Sequence, residues 1–200
     1  MNARRRAAGG VTRVLFVQGG GKDVHDTWDG KLVANLEREL GPDYAVRYPR
    51  MPDEADPHAG PWKKAIARHL RELGDGAVLV AHSVGAAILL ASLGAAPKAR
   101  KSGAVFLINP PFMGDGGWPG DGLPPTKSLA AALSDGEGLH LYFGTADQTV
   151  PPSHGNLFAK TFPRAKVRRL RGRDHQLDGD LSEVARDIRR LERSPELGRR

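Results

Sequence analysis

Apolar residues in this chain come in short dense runs, separated by stretches in which they recur at helical spacing. Val14 to Gln18 is an apolar run of strand length. From Lys31 to Leu40, apolar Leu32, Val33, Leu36 and Leu40 fall on one helical face. Tyr44 to Tyr48 alternates like a strand, and Pro61 to Leu73 reads as a helix with proline in its first turn. Val78 to Ala81 predicts a buried strand, followed by a buried helix over Gly85 to Leu93. Ala104 to Asn109 is a further strand, stopped by Pro110-Pro111, and Ser128 to Leu133 a short helix. Leu139 to Phe143 predicts a strand, Ser153 to Thr161 a helix, Ala165 to Leu170 a basic edge strand, and Leu181 to Leu191 a closing amphipathic helix. Strands alternating with helices predict an α/β fold: a mostly parallel six-stranded sheet with helices on both faces. Val105-Phe106-Leu107-Ile108 is apolar at every position, as a strand buried on both sides requires. The long irregular stretch Pro110 to Lys127 carries Phe112, Met113 and Trp118. Long loops in compact domains are often functional or mobile, and a plain surface excursion is the alternative.

Length and composition narrow the class. Two hundred residues suit one domain, expected over 12–192, with a flexible basic N-terminus at 1–11 and a flexible tail at 193–200. There is no cysteine, which excludes disulfides and thiolate metal sites. No apolar run approaches the ~20 residues that span a bilayer. The first ten residues are basic and polar, without the apolar core of a signal peptide, so a cytoplasmic location and no membrane partner are expected. The net charge of +7 raises the question of nucleic acid. The excess lies in Arg4-Arg5-Arg6, in Arg199-Arg200 and in the group Lys166, Arg168, Arg169, Arg171 and Arg173. No aromatic residues interleave these charges and no nucleic-acid-binding motif is present, so they read as solvated charges.

The chemistry concentrates around Ala81-His82-Ser83-Val84-Gly85, at the junction of the third strand and its helix. Strand, sharp turn carrying serine, then helix is the layout of a nucleophile elbow. The usual pattern is G-x-S-x-G, and Ala81 replaces its first glycine at the cost of one methyl. A serine in an ordinary strand-to-helix loop has the same look, so the partners decide. A serine hydroxyl needs a base to remove its proton and a third group to orient that base. Asp147 stands in a turn just after a buried strand, punctuated by Gly144 and Pro151. His175 stands in the loop after the last strand. Ser83, Asp147 and His175 therefore follow the chain order serine, acid, histidine.

The other six of the seven histidines fit the base role less well. His69 reads as a surface residue within a helix, His140 lies inside a strand, and His154 starts a helix. His58 precedes the elbow in a loop. His82 is expected to pack behind the elbow, and His25 to border the pocket. Asp174 neighbours His175, but adjacent loop residues point apart, which favours Asp147 as the orienting group.

Charge developing on a substrate oxygen needs fixed donors. The N–H of Val84, next after the serine, is one candidate. Gly19-Gly20-Gly21, after the first strand, lets backbone approach a ligand closely, and either Gly20 or Gly21 fits the second donor. The same glycines do not make a phosphate loop: neither G-x-x-x-x-G-K-[ST] nor G-x-G-x-x-G is met. No H-E-x-x-H occurs, and the histidines and carboxylates do not cluster at metal-ligand spacings, so no metal is expected.

With these residues in view, the chain resembles the small, capless α/β-hydrolases typified by retinoblastoma-binding protein nine and its bacterial relatives. The resemblance covers about residues 12–192. It rests on Gly19-Gly20-Gly21 followed by Trp28, on Tyr48-Pro49-Arg50-Met51-Pro52-Asp53, on Trp62 opening its helix, and on His82-Ser83-Val84-Gly85. It implies an α/β-hydrolase fold without a separate cap, and a triad of Ser83, Asp147 and His175. The expectation is a serine hydrolase acting on an ester or other activated acyl compound, a small molecule, with no cofactor. His25, Trp28 and Met51 are the expected substrate-binding residues, with plain packing the alternative for Trp28 and Met51. A noncatalytic binding protein on the same fold is the alternative function.

Overall fold

In a computed structural model the described residues are 10–95, 103–120 and 122–193. Most of the two expected tails, 1–9 and 194–200, lies outside them.

Six strands form one sheet: β1 (Thr12–Val17), β2 (Tyr44–Arg47), β3 (Val78–His82), β4 (Val105–Ile108), β5 (Leu139–Gly144) and β6 (Lys166–Leu170). Their order is β2-β1-β3-β4-β5-β6, and every neighbouring pair is parallel. The helices are α1 (Val24–Thr27), α2 (Asp29–Leu40), α3 (Ala59–Leu73), α4 (Ser83–Gly94), α5 (His154–Thr161) and α6 (Ser182–Arg193). Side chains alternate along a strand, so each strand feeds two cores. Val14, Phe16, Val80, Phe106 and Tyr142 pack on one face with Leu32 and Leu36 of α2 and Val184 and Ile188 of α6. Leu15, Val17, Leu79, Leu107 and Phe143 pack on the other with Trp62 and Ile66 of α3, Leu89 of α4 and Phe158 of α5. From β1 the chain passes to β2 on one side and then returns to β3 on the other. The crevice outside the carboxyl ends of β1 and β3 is therefore the switch point where such sheets place ligands.

Three expectations need correction. The helix expected over Ser128 to Leu133 is replaced by two short 3₁₀ turns, Thr126–Leu129 and Ser134–Gly136. Pro124-Pro125 and Ser134-Asp135-Gly136 bracket the segment too closely for helix nucleation. His69 is not a surface residue but is buried, because it lies on the same face of α3 as Trp62, Ile66, Leu70 and Leu73. The helix after β3 begins at Ser83, directly at the strand end.

The basic edge strand is as expected, and much of its charge is locally paired. Arg168 clasps Asp187 of α6 through two contacts of 2.8 Å, and Arg169 donates to Asn156 at 2.6 Å. No helix among the described residues is long and apolar enough to cross a membrane.

Three buried histidines carry a pH consequence. Burial, then the neighbouring Lys166, push His140 down to about 4. Burial also lowers His69 and His154 below the ordinary imidazole value. At these three positions the unfolded chain therefore binds more protons than the folded one below about pH 6.5. Stability from these groups is fully present above that pH and declines as pH falls toward about 4. Thermal melts across this window are expected to show a falling midpoint, with His140→Gln flattening part of the fall. Parallel curves for the two proteins would exclude His140 as a contributor.

Candidate active site

At the end of β3 the backbone turns sharply at Ser83, which adopts φ 51°, a left-handed conformation that few L-residues occupy without compensation. The compensation is the packing of α4 onto β1. A Cβ on Gly85 would stand 1.9 Å from the carbonyl oxygen of Gln18, so only glycine permits the approach. This contact presents the Ser83 hydroxyl beside the glycine loop that follows β1.

Two loops from the other half of the sheet reach the same point. Ser83 Oγ lies 3.0 Å from Nε2 of His175, and Nδ1 of His175 lies 2.7 Å from Oδ2 of Asp147. The second oxygen, Oδ1, accepts the N–H groups of Thr149 and Val150 at 2.8 and 2.9 Å. Burial works to raise the Asp147 carboxyl, but the hydrogen bond and charge of His175, with those two N–H groups, outweigh it and hold it below its ordinary value. Asp147 is therefore an acceptor on both oxygens, which directs a proton onto Nδ1 of His175 and leaves Nε2 to accept from Ser83.

The His175 loop is itself clamped. Arg173 donates to the Leu177 carbonyl at 2.8 Å and to Asp180 at 2.7 Å, bridging the loop on both sides of the histidine. Asn109, fully buried at the end of β4, donates from Nδ2 to the His175 carbonyl at 2.7 Å and accepts the Gly144 N–H at 2.8 Å. One amide thus joins the His175 loop to the end of β5, the strand that leads into the Asp147 turn.

The glycine loop is held by a separate set of bonds. Buried Gln18 donates to Glu54 at 2.7 Å and accepts the Met51 N–H at 3.0 Å. The Gly19 N–H donates to Asp29 at 2.6 Å, and the Gly21 N–H to the Glu54 carbonyl at 2.6 Å. Gly21 is therefore corrected as an oxyanion donor, because its amide is already committed. The Gly20 N–H makes no hydrogen bond among the described residues. A Cβ there would lie 2.9 Å from Val84, so Gly20 sits against the elbow. Val84 is in the first turn of α4, where backbone N–H groups have no intrahelical acceptor.

Of the expected substrate contacts, Met51 is corrected. Its side chain is 1% exposed and belongs to the core with Trp62 and Ile66, because its backbone is drawn inward by Gln18. His25 stacks on Tyr48 at 4.1 Å and bonds Asp26 through Nδ1 at 2.8 Å. Trp28 is 51% exposed. It lines a groove of about 300 Å³ with Lys31, Asp174, Gln176, Asp178 and Gly179, next to the His175 loop.

His82 does pack behind the elbow, at 1% exposure, and Asp29 beside it is fully buried. Burial works to lower His82, yet the adjacent Asp29 carboxylate outweighs it and raises the imidazole above its ordinary value. Sequence reasoning missed Asp29, Asn109, Gln18 and Glu54. Asp29 reads as an acidic residue in a helix first turn, and Asn109 as a strand-terminating polar residue before Pro110. Neither signal distinguishes a structural role from a site role.

Among the described residues, no group of histidine and carboxylate side chains could hold a metal ion. The irregular stretch after β4 is anchored to α5: the Phe112 N–H donates to Nδ1 of His154 at 2.8 Å, and Phe112 packs edge-on to Phe158.

A profile of the alpha/beta hydrolase family matches residues 14–196, and the chain belongs to that family. Six parallel strands flanked by helices are its fold, with no separate cap evident among the described residues. No curated protein matches the chain. Similar solved structures include the ydeN gene product of B. subtilis, 17% identical with a TM-score of 0.74 over 92% of this chain and 100% of that one. The esterase domain of a Rhodothermus marinus protein is 19% identical, with a TM-score of 0.66 over 93% and 88%. The monoacylglycerol lipase of Paleococcus ferrophilus is 18% identical, with a TM-score of 0.61 over 91% and 95%.

Gly85→Ala places a methyl into the Gln18 carbonyl and is expected to cost at least the upper part of the ~1–3 kcal/mol range for overpacking. Denaturant melts check this. A variant as stable as the wild type would show that the elbow does not depend on this contact.

Proposed function

We propose that this protein is a serine hydrolase that cleaves an ester or another activated acyl compound through an acyl-enzyme. The continuous chain of hydrogen-bond distances from Ser83 Oγ through His175 to Asp147 carries the reading. Ser83 attacks the substrate carbonyl while its proton passes to Nε2 of His175. The Asp147 carboxylate holds the ring and offsets the charge of the imidazolium. The N–H groups of Gly20 and Val84 receive the oxyanion. His175 then protonates the leaving group, and a water molecule, deprotonated by the same ring, releases the acyl group and restores Ser83. Every proton is moved by this chain's own residues, and the cycle needs no cofactor.

The names of two structural neighbours, an esterase and a lipase, favour carboxylic ester chemistry. Within the family, we place the chain with the small capless enzymes that its glycine loop and Tyr48–Asp53 segment resemble. Contacts of that segment support the placement: the Met51 N–H bonds Gln18, directly before the glycine loop, the Tyr48 hydroxyl bonds the His25 carbonyl, and the Glu54 carbonyl, just after the segment, accepts the Gly21 N–H. The groove beside Trp28 is the proposed seat of part of the substrate.

A fluorophosphonate probe tests the reading. Native wild type is expected to label, and heat-denatured protein and Ser83→Ala are not. Ser83→Ala is expected to remain folded while ester turnover falls by at least about a thousandfold. A well-folded wild type that never labels and hydrolyses no ester would favour a noncatalytic binding protein instead.

A further inference from the structure

Asp29 takes no part in the proton path from Ser83 to Asp147, yet its carboxylate is fully buried beside it. Oδ2 accepts the Gly19 N–H at 2.6 Å and lies 3.1 Å from Nδ1 of His82, while Oδ1 lies 2.9 Å from the same nitrogen. The other ring nitrogen of His82, Nε2, reaches the carbonyl oxygen of His175 at 3.0 Å. A carbonyl only accepts, so Nε2 carries a proton. Nδ1 faces a carboxylate, so a further proton lies between His82 and Asp29. The Asp29–His82 pair therefore joins three segments: the carboxylate bonds the glycine loop after β1 and the elbow histidine at the end of β3, and that histidine bonds the His175 loop after β6.

We infer that Asp29, acting through His82, is a positioning residue that sets the oxyanion loop and the His175 loop relative to Ser83. The inference rests on the serine hydrolase reading. Stability alone does not account for the pair. Burying two ionisable groups is costly, and apolar residues of similar volume stabilise a core as well or better. What apolar residues cannot do is fix a backbone N–H and a backbone C=O in direction. The Gly19 N–H bonded to Asp29 immediately precedes Gly20, whose own N–H is free to meet an oxyanion. The His175 carbonyl bonded to His82 belongs to the residue whose ring faces Ser83.

Asparagine separates geometry from charge at this position. Its amide oxygen can accept the Gly19 N–H, and its NH₂ can donate to Nδ1 of a neutral His82 that keeps its proton on Nε2. Alanine removes both bonds.

The experiment measures hydrolysis of p-nitrophenyl acetate, with the p-nitrophenol burst counting functional sites, in wild type, Ser83→Ala, Asp29→Ala and Asp29→Asn. Asp29→Ala is expected to lower kcat per functional site by about 10- to 100-fold with KM changed less than about threefold. Asp29→Asn is expected to restore kcat to within about fivefold of wild type. If Asp29→Ala does not fold, the double variant Asp29→Leu/His82→Phe leaves no unpaired charge. It is expected to melt near the wild type and to show the same kcat loss. A folded Asp29→Ala or double variant with wild-type kcat would overturn the inference. So would a loss accounted for wholly by fewer functional sites, which marks a merely structural role. If Ser83→Ala hydrolyses the ester as fast as wild type, the serine hydrolase reading falls, and the present inference with it. Wild-type turnover in Asp29→Ala beside an inactive Ser83→Ala removes the present inference alone.

Discussion

The close approach of α4 to the end of β1, where Gly85 meets the Gln18 carbonyl, is the constraint on which the rest of the site depends. It fixes three things together. The helix starts at the strand end with no intervening loop, which forces Ser83 into its left-handed φ. The Ser83 side chain is thereby turned toward the carboxyl ends of the strands. The first turn of α4 comes to rest against Gly20, which brings the residue after Ser83 next to the glycine loop. A methyl at position 85 would separate β1 from the elbow, and Gly20 would part from Val84 even with Ser83, His175 and Asp147 all present.

Apolar packing holds the sheet and helices together but does not by itself hold three loops to within a few tenths of an ångström. Dispersion contacts are weakly directional, whereas hydrogen bonds fall off steeply with distance and angle. The site is accordingly held by buried polar side chains with more than one partner each. Asn109 ties the His175 loop to β5, Gln18 ties β1 to the Met51 backbone, and Asp29 ties the glycine loop to His82. Each is costly to bury unless satisfied, about 1–3 kcal/mol for a lost partner. These groups lie where chain segments from different strands must meet.

How much was legible in the sequence follows from the same division. Strands and helices are written as apolar periodicity, and the two-core sheet can be read from runs such as Val105–Ile108. The order Ser83, Asp147, His175 is legible because each stands at a strand end with turn residues beside it. His69 shows where residue type misleads: its helical phase with Trp62 and Ile66 marks a buried face, and its polarity argues against it. The choice between Gly20 and Gly21 was not legible, because three glycines in a row have equivalent side chains. The difference lies in which amide the Glu54 carbonyl occupies. Met51 fails similarly, since only the bond from its N–H to Gln18 determines that its side chain turns into the core. Partners of this kind are set by tertiary approach and leave no periodic trace.

The start of the irregular stretch after β4 bears on both the His175 loop and the Asp147 turn. Asn109, at its start, fixes the His175 carbonyl, and Phe112, three residues on, is seated on α5 by His154 and Phe158. The α5 helix follows directly on the turn that carries Asp147, so the same helix that anchors this stretch also limits how far that turn can move. His154 makes the link because burial lowers its pKa, and a neutral ring can accept the Phe112 N–H through Nδ1 where an imidazolium could not. The start of this stretch thus links the support of the His175 loop to the support of the Asp147 turn, through the side-chain amide of Asn109 and the backbone N–H of Phe112.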